Sequence, residues 1–245
     1  MQLFYEPEFN PPRHILGPDE SQHCIRVLRM TAGDTLHITD GRGNMYLCRI
    51  VSADRRRCEV EVLEHMPGYG RLPYRLAVAV APTKNQERFE WFVEKATEIG
   101  VTDIIPLETE RCQRRTLKHD RLTKVAAAAM KQSLKAYCPE VHPVTKFNEL
   151  AARPFDGRKL IAHCDESSDV PRRHMMSAVA AGENILILIG PEGDFSPEEI
   201  KFAAANGFRP VTLGNQRLRT ETAGVVAAVL AAAANDIARP LSEQE

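Results

Sequence analysis

ILILIGPEGDFSPEE, residues 185–199, reads as a buried strand, a loop with two glycines, and the start of a helix. Five apolar residues in a row, without alternation, mark a strand covered on both faces, as in a parallel sheet. Ser196 is placed to cap the helix, Pro197 fits its first position, and Glu199 completes a capping box. A strand, loop and helix in this order often cradle phosphate, but these residues oppose that. The P-loop pattern fails, because Gly190 and Gly193 are three apart and no lysine follows. The dinucleotide pattern G-x-G-x-x-G is missing as well. Glu192 and Asp194 would set two carboxylates against a polyphosphate. What the loop offers is main chain, since glycine lets N–H and C=O groups approach a ligand closely. A tight turn with no ligand fits the same residues equally well.

Working outward, LAVAV (76–80), DIIPL (103–107), LIAHC (160–164) and PVTLG (210–214) are further apolar strands, with helical segments between them. That alternation defines an α/β domain with a parallel sheet. The spacing of Phe89, Phe92, Val93, Ala96 and Ile99 predicts a helix over 86–99, ended by Gly100. A long helix is expected over 117–137, closed by Pro139. PVTLGNQRLRTETAG (210–224) repeats the layout of the opening stretch, with Thr220 as the expected cap of a helix beginning at Glu221. Arg217, Arg219, Glu221 and Thr222 then lie at the carboxyl end of a buried strand, where open α/β sheets place their sites. The alternative there is a plain surface pair between Arg219 and Glu221.

Residues 1–66 follow another period. A short helical piece, DESQHCIRVLRM, precedes alternating segments at 35–39, 45–50 and 57–63, the first two joined through Asp40-Gly41 and Gly43-Asn44 as a hairpin. Short strands so closely spaced suggest a small barrel. PGYGRLP (67–73) is the expected linker, which divides the chain into domains at 1–70 and 74–245.

Composition narrows the classes. A net charge of −1 excludes a uniformly basic nucleic-acid binder and leaves room for a local patch. Six scattered cysteines form no C-x-x-C pair, so free thiols are expected and no metal site. The beginning of the sequence has neither the basic nor the apolar region of a signal peptide, and no apolar run approaches the ~20 residues of a membrane span. A soluble, cytoplasmic protein is the expectation.

At the two glycine loops the sequence resembles the SPOUT-class ribosomal RNA methyltransferases, most closely the bacterial 16S rRNA uridine-N3 methyltransferases of the RsmE type. The matching motifs are HCIRVLRMTAGD (23–34), EKATEIGVTDIIPLETERC (94–112), KQSLKAYCPE (131–140), LIGPEGDFSPEE (188–199) and LGNQRLRTETA (213–223), in order along nearly the whole chain. LIGPEG with LRTETA is the specific part. This chain departs from the family pattern at Asp194, where a second glycine is usual, at Lys135, where arginine is usual, and at Gln216-Arg217, in place of an Arg-Ile pair.

The resemblance implies a PUA-like β-barrel that helps to hold RNA, then an α/β domain with a deep trefoil knot, acting as a homodimer on 16S rRNA. It implies S-adenosylmethionine (AdoMet) held largely by main chain, by Leu188, Ile189, Gly190, Pro191, Glu192 and Gly193 in one loop. Leu213, Gly214, Leu218, Arg219, Thr222 and Ala223 would serve from the other, with Cys164 beside them. Uridine N3 is a poor nucleophile while it holds its proton, so the reaction needs a cation beside the uracil carbonyls and a proton acceptor. Arg219 is the first candidate for the cation. Glu192 is the candidate acceptor and Glu221 the second. Residues 111–146 carry nine Lys or Arg against Asp120 and Glu140, a surplus of seven that suits a polyanion. The candidate RNA contacts are Arg111, Arg114 and Arg115 there, Lys84 and Arg88 after the first α/β strand, and Arg13, His23, Arg26 and Arg29 in the first domain. His23, Arg26 and Arg29 are expected on one helix face. The rival readings are a non-catalytic ribosome-assembly protein that binds RNA, or a SPOUT enzyme acting on another base or on ribose.

Overall fold

A computed structural model of the chain describes residues 2–164 and 171–237. The chain forms two compact units, one of residues 1–71 with 127–138, the other of 72–126 with 139–245.

The first unit is built on β1 (Leu3–Tyr5), β2 (Arg13–Ile15), β3 (Thr35–Thr39), β4 (Asn44–Ser52) and β5 (Glu59–Pro67), in the sheet order β1-β3-β4-β5-β2. The expected hairpin is β3–β4, antiparallel from Thr35 opposite Arg49 to Thr39 opposite Met45. Only β1 runs parallel to its neighbour, and β1 and β2 share no ladder among the described residues. Alternation turns Leu36, Ile38, Tyr46, Cys48, Ile50 and Val60 inward to a core with Phe4, Leu16, Cys24 and Cys58. Burial pushes the Cys48 thiol up to about 12, so it acts as a small hydrophobe. The helical piece is α1 (Pro18–Gln22) running into a π-helical turn at His23–Val27. That corrects the expected shared face of His23, Arg26 and Arg29. The π turn changes the angular step, and Arg29 lies beyond it in the left-handed region, φ 57. All three side chains are exposed.

The helix expected over 117–137 is shorter. α3 spans His119–Gln132. Leu134 turns left-handed (φ 56), and Lys135 N–H donates to Met130 O at 3.1 Å, the six-residue closure of a Schellman-type end. Distant contacts settle the next residues. Gly43 N–H donates to Ala136 O and Cys138 N–H to Gly41 O, each at 2.9 Å. A Cβ on Gly43 would stand 2.3 Å from the Tyr137 ring, so only glycine fits under that side chain. Lys131 Nζ reaches Glu20 Oε1 at 2.6 Å. The motif at 131–140 thus holds tertiary contacts that no local pattern signals.

The second unit contains β6 (Leu76–Val80), β7 (Asp103–Glu108), β8 (Glu140–Val141), β9 (Thr145–Lys146), β10 (Arg158–Ala162), β11 (Arg173–His174), β12 (Ile185–Ile189) and β13 (Arg209–Thr212). Their order is β11-β13-β10-β12-β6-β7-β8, with β9 also on β7, and every pairing is parallel. β6 and β12 are wholly buried, as their unbroken apolar runs require. Around the sheet lie α2 (Gln86–Ile99), α4 (Phe147–Ala152), α5 (Pro197–Ala205) and α6 (Thr220–Asp236). Ala77, Ala79, Leu186 and Leu188 pack with Phe147, Phe195, Ile200 and Ala203 in one core cluster. α6 packs on α2 and β6. There, a Cβ on Gly224 would come within 2.7 Å of the Phe92 ring and 3.1 Å of Val80.

The helix ends mostly follow local chemistry. Asn85 Oδ1 accepts Glu87 N–H at the start of α2, Gly100 ends it at φ 108, and the Ser196–Glu199 capping box opens α5. Thr220 does not cap α6. It is the first helical residue and is buried, while Arg219 is the cap and makes no side-chain cap bond. Because all strands are parallel, the loops after β6, β7, β10, β12 and β13 leave from one edge of the sheet.

Candidate active site

The loop after β12 is held from several sides. Pro191–Asp194 is a tight turn, closed by Asp194 N–H donating to Pro191 O at 2.9 Å, with Glu192 and Gly193 exposed at its tip. Gly190 is buried, and a Cβ there would meet the Phe195 ring at 3.1 Å, so the fit of Phe195 explains this glycine. Leu188 and Ile189 are core residues, which leaves their main chain to serve a ligand, and Ile189 O already accepts Ala81 N–H. Arg111, from the segment after β7, donates through Nη1 to Gly193 O at 2.8 Å and Phe195 O at 3.3 Å. Glu199 ties the same segments, Oε1 accepting Glu110 N–H at 2.8 Å and Oε2 accepting Ser196 N–H at 2.9 Å. Cys164, at the exit of β10, donates its main-chain N–H to Asp194 Oδ2 at 2.7 Å.

The loop after β13 is more open. Gly214 has φ 133, and the position a Cβ would take faces empty space. Leu213, Leu218, Thr222 and Ala223 are half-buried, and Arg219 is exposed. Glu221 is buried and reaches Arg88 rather than Arg219, with Oε1 3.8 Å from Nη1. The surface pair therefore does not form.

Two clefts flank the start of α2. One, about 740 Å³, is lined by Lys84, Arg88, Arg114, Lys118, Arg121 and Glu192. The other, about 690 Å³, is lined by Arg88, Trp91, Leu218, Arg219, Glu221 and Thr222. Arg88 borders both. The structure thus gathers Glu192, Arg219 and Glu221 around the cap of α2, with Lys84 and Arg88 among them. Sequence reasoning passed over Trp91, Asn85 and Gln86, whose only local signal is an ordinary amphipathic helix start.

The surplus of cations at 111–146 does not form one open patch. Arg111 is occupied with the carbonyls of the loop after β12. Arg114 is half-buried and reaches Lys84 O at 3.2 Å. Arg115 faces Glu108 at 3.5 Å. Arg121 grips both oxygens of Glu90, and that fork holds the Glu90 carboxyl below its usual range against the effect of burial. Lys131 belongs to the first unit. Arg13, also there, is exposed and 3.7 Å from both Glu59 and Glu61. Lys84, Arg88 and Lys118 remain as exposed cations on the larger cleft.

One group among the described residues has ligand atoms close enough for a metal, Asp103, Glu140 and His142. Its geometry is already satisfied by ion pairing. Arg75 binds Asp103 through Nε at 2.7 Å and through Nη2, and His142 Nε2 lies 3.0 Å from Asp103 Oδ1. A guanidinium in that position repels a metal ion.

The family model described as RNA methyltransferase domain matches residues 70–232, and one described as RNA methyltransferase PUA domain matches 16–63. A curated relative from Bacillus subtilis (strain 168), ribosomal RNA small subunit methyltransferase E, is 28% identical over 226 residues, 88% of each chain. The crystal structure of a probable rRNA-methyltransferase from Porphyromonas gingivalis is 42% identical, with TM-score 0.91, over 98% of this chain and 100% of that one. A ribosomal RNA small subunit methyltransferase E from Neisseria gonorrhoeae, bound to S-adenosyl methionine, is 28% identical with TM-score 0.79, over 94% and 95% of the two chains. The chain belongs to the ribosomal RNA small subunit methyltransferase E family.

Proposed function

We propose that this chain, an S-adenosylmethionine-dependent rRNA methyltransferase by family, methylates N3 of a uridine in 16S rRNA, in the cytoplasm and as part of the small ribosomal subunit. The observation that carries the reading is the pairing of two loops, 191–194 with Glu192 and Gly193 exposed and 213–219 with Arg219 exposed, with a basic cleft at one edge of a parallel sheet.

The residues fit the cofactor. Half-buried Leu213 and Leu218, and the open backbone at Gly214, suit adenine and ribose with no phosphate to place. The carboxylate of Glu192, which would repel a polyphosphate, suits a sulfonium cation. Bound AdoMet supplies a methyl carbon already activated by that sulfonium. The protein then has to position the base and move one proton. Glu192 is exposed at the tip of its turn and takes the N3 proton. Arg219 faces the uracil carbonyls and stabilises the charge that develops as the proton leaves. Glu221 is buried against Arg88, so its role is to hold that arginine on the cleft. Lys84, Arg88 and Lys118 contact RNA phosphates, while Arg13, His23, Arg26 and Arg29 offer a second exposed surface for RNA on the first unit.

The same reading includes a trefoil knot and a dimer. After β13, near the sheet's edge, the chain returns to lay α6 on α2 and β6, the path expected of a threaded C-terminal segment. Trp91 on α2 and Val229 on α6 are 42% and 45% exposed, large apolar side chains that a second copy would cover.

Methyl transfer to small-subunit particles, with nucleoside analysis of the product, tests the assignment. N3-methyluridine is expected. A ribose-methylated or other base product, or no transfer by protein that binds AdoMet, overturns it. Arg219→Ala is expected to lose transfer by 100-fold or more, about the effect of removing one electrostatic stabiliser, with AdoMet affinity kept.

A further inference from the structure

Asp194 stands in the left-handed region at φ 61, which costs a non-glycine residue free energy. Its carboxylate has two definite partners. Oδ1 accepts the next amide, Phe195 N–H, at 2.9 Å, and Oδ2 accepts Cys164 N–H at 2.7 Å. Cys164 follows β10 and Asp194 follows β12, and those strands are neighbours, with Ala162 opposite Ile189. The side chain therefore crosses between the exits of two adjacent strands. A carboxylate taking two amide protons makes bonds stronger than neutral pairs. The left-handed φ is what turns the carboxylate back towards both amides. Glycine would supply that angle and lack the carboxylate.

We infer that Asp194 is a positioning residue, a staple that fixes the Pro191–Asp194 turn against the exit of β10 and so holds the cofactor loop in its binding shape before the cofactor arrives. This rests on the reading of that loop as a wall of the AdoMet pocket. A loop already ordered loses less freedom on binding, so the staple acts on affinity for the small ligand. The cations assigned to RNA, Lys84, Arg88 and Lys118, come from other segments than the stapled turn, which borders their cleft only through Glu192, so RNA affinity depends on the staple far less than cofactor affinity does.

The test compares wild type, Asp194→Gly and Asp194→Asn by calorimetric titration with AdoMet, by binding of a small-subunit rRNA fragment, and by hydrogen exchange at the Cys164 and Phe195 amides. Asp194→Gly keeps the backbone angle and removes the staple. It is expected to bind AdoMet at least fivefold more weakly, to exchange faster at both amides, and to bind RNA within twofold of wild type. Asp194→Asn keeps one acceptor oxygen and is expected to lie between the two. AdoMet affinity within twofold of wild type in Asp194→Gly overturns the inference. So does an equal loss of AdoMet and RNA binding, which is the mark of general unfolding, and so does unchanged exchange at Cys164. If the wild-type protein itself binds no AdoMet, the cofactor reading fails, and the wild-type titration alone shows it.

Discussion

Glu199→Ala should be the most damaging single change among the polar residues that frame the candidate site. Glu199 is 7% exposed and serves two amides, Ser196 N–H and Glu110 N–H. The two losses differ. Ser196 is 2% exposed, so water does not replace the lost acceptor, and a buried unsatisfied N–H costs about 1–3 kcal/mol. Glu110 is exposed, so its amide recovers a water and loses under about 1 kcal/mol. The sum is about 1–4 kcal/mol. At about 2–4 °C per kcal/mol for a chain of this size, the melting temperature falls by roughly 2–16 °C. Ser196→Ala breaks only the other half of the box, Glu199 N–H to Ser196 Oγ at 3.3 Å, and should cost about 1 kcal/mol. Glu199→Gln keeps one acceptor oxygen and should fall between. Urea unfolding of all three, followed by fluorescence of the single tryptophan, Trp91 on α2, gives the order. If Glu199→Ala costs no more than Ser196→Ala, the tie to Glu110 contributes nothing and the two segments are not coupled through this side chain.

Gly224→Ala puts a methyl group 2.7 Å from the buried Phe92 ring, and this overpacking is expected to cost about 1–3 kcal/mol in the same unfolding assay. Burial alone would raise the Asp103 carboxyl, but bonds from Arg75, His142 and Thr102 outweigh it and hold the group well below the usual carboxylate range. A carboxyl depressed in the folded state contributes stability above its unfolded value, near about 4, and that contribution drains away as the pH falls further. Unfolding midpoints of the wild type should therefore drop below about pH 4 by more than those of Asp103→Asn. Lys118→Ala should weaken rRNA binding and reduce the slope of log affinity against log salt by about one. Arg111→Ala, which frees Gly193 O, should weaken AdoMet binding before it affects RNA.

Local chemistry made much of this molecule legible. The unbroken apolar runs at 76–80 and 185–189 needed cover on both faces, and parallel neighbours supply it. Gly100 and Ser196 with Glu199 mark helix ends through contacts within a few residues. Failures came where the deciding partner is far along the chain. Leu134 leaves the helical path because Tyr137 has a seat beneath the hairpin turn at Gly43, which no window around 134 contains. The cations of 111–121 looked like a free surface, yet Arg111 and Arg121 are claimed by Gly193 and Glu90. Thr220 looked like a cap and is instead buried in the first turn of α6. For the candidate site, the acidic tip of the opening loop argues against phosphate from the sequence alone. The nearness of Trp91 and Arg88 to Arg219 depended on how α2 and α6 pack, which sequence spacing does not encode.

The boundaries of the two units carry a consequence for how the polypeptide matures. The chain passes from one unit to the other three times, after residues 71, 126 and 138. A ribosome that has released only the first 71 residues has not yet delivered the strip at 136–138 on which the hairpin turn rests. The N-terminal unit is completed late, by residues made after several elements of the second have emerged. Neither unit is a cassette that a single cut or a simple fusion can transplant, and a fragment ending at the glycine-rich linker should show its unfinished surface as a loss of solubility.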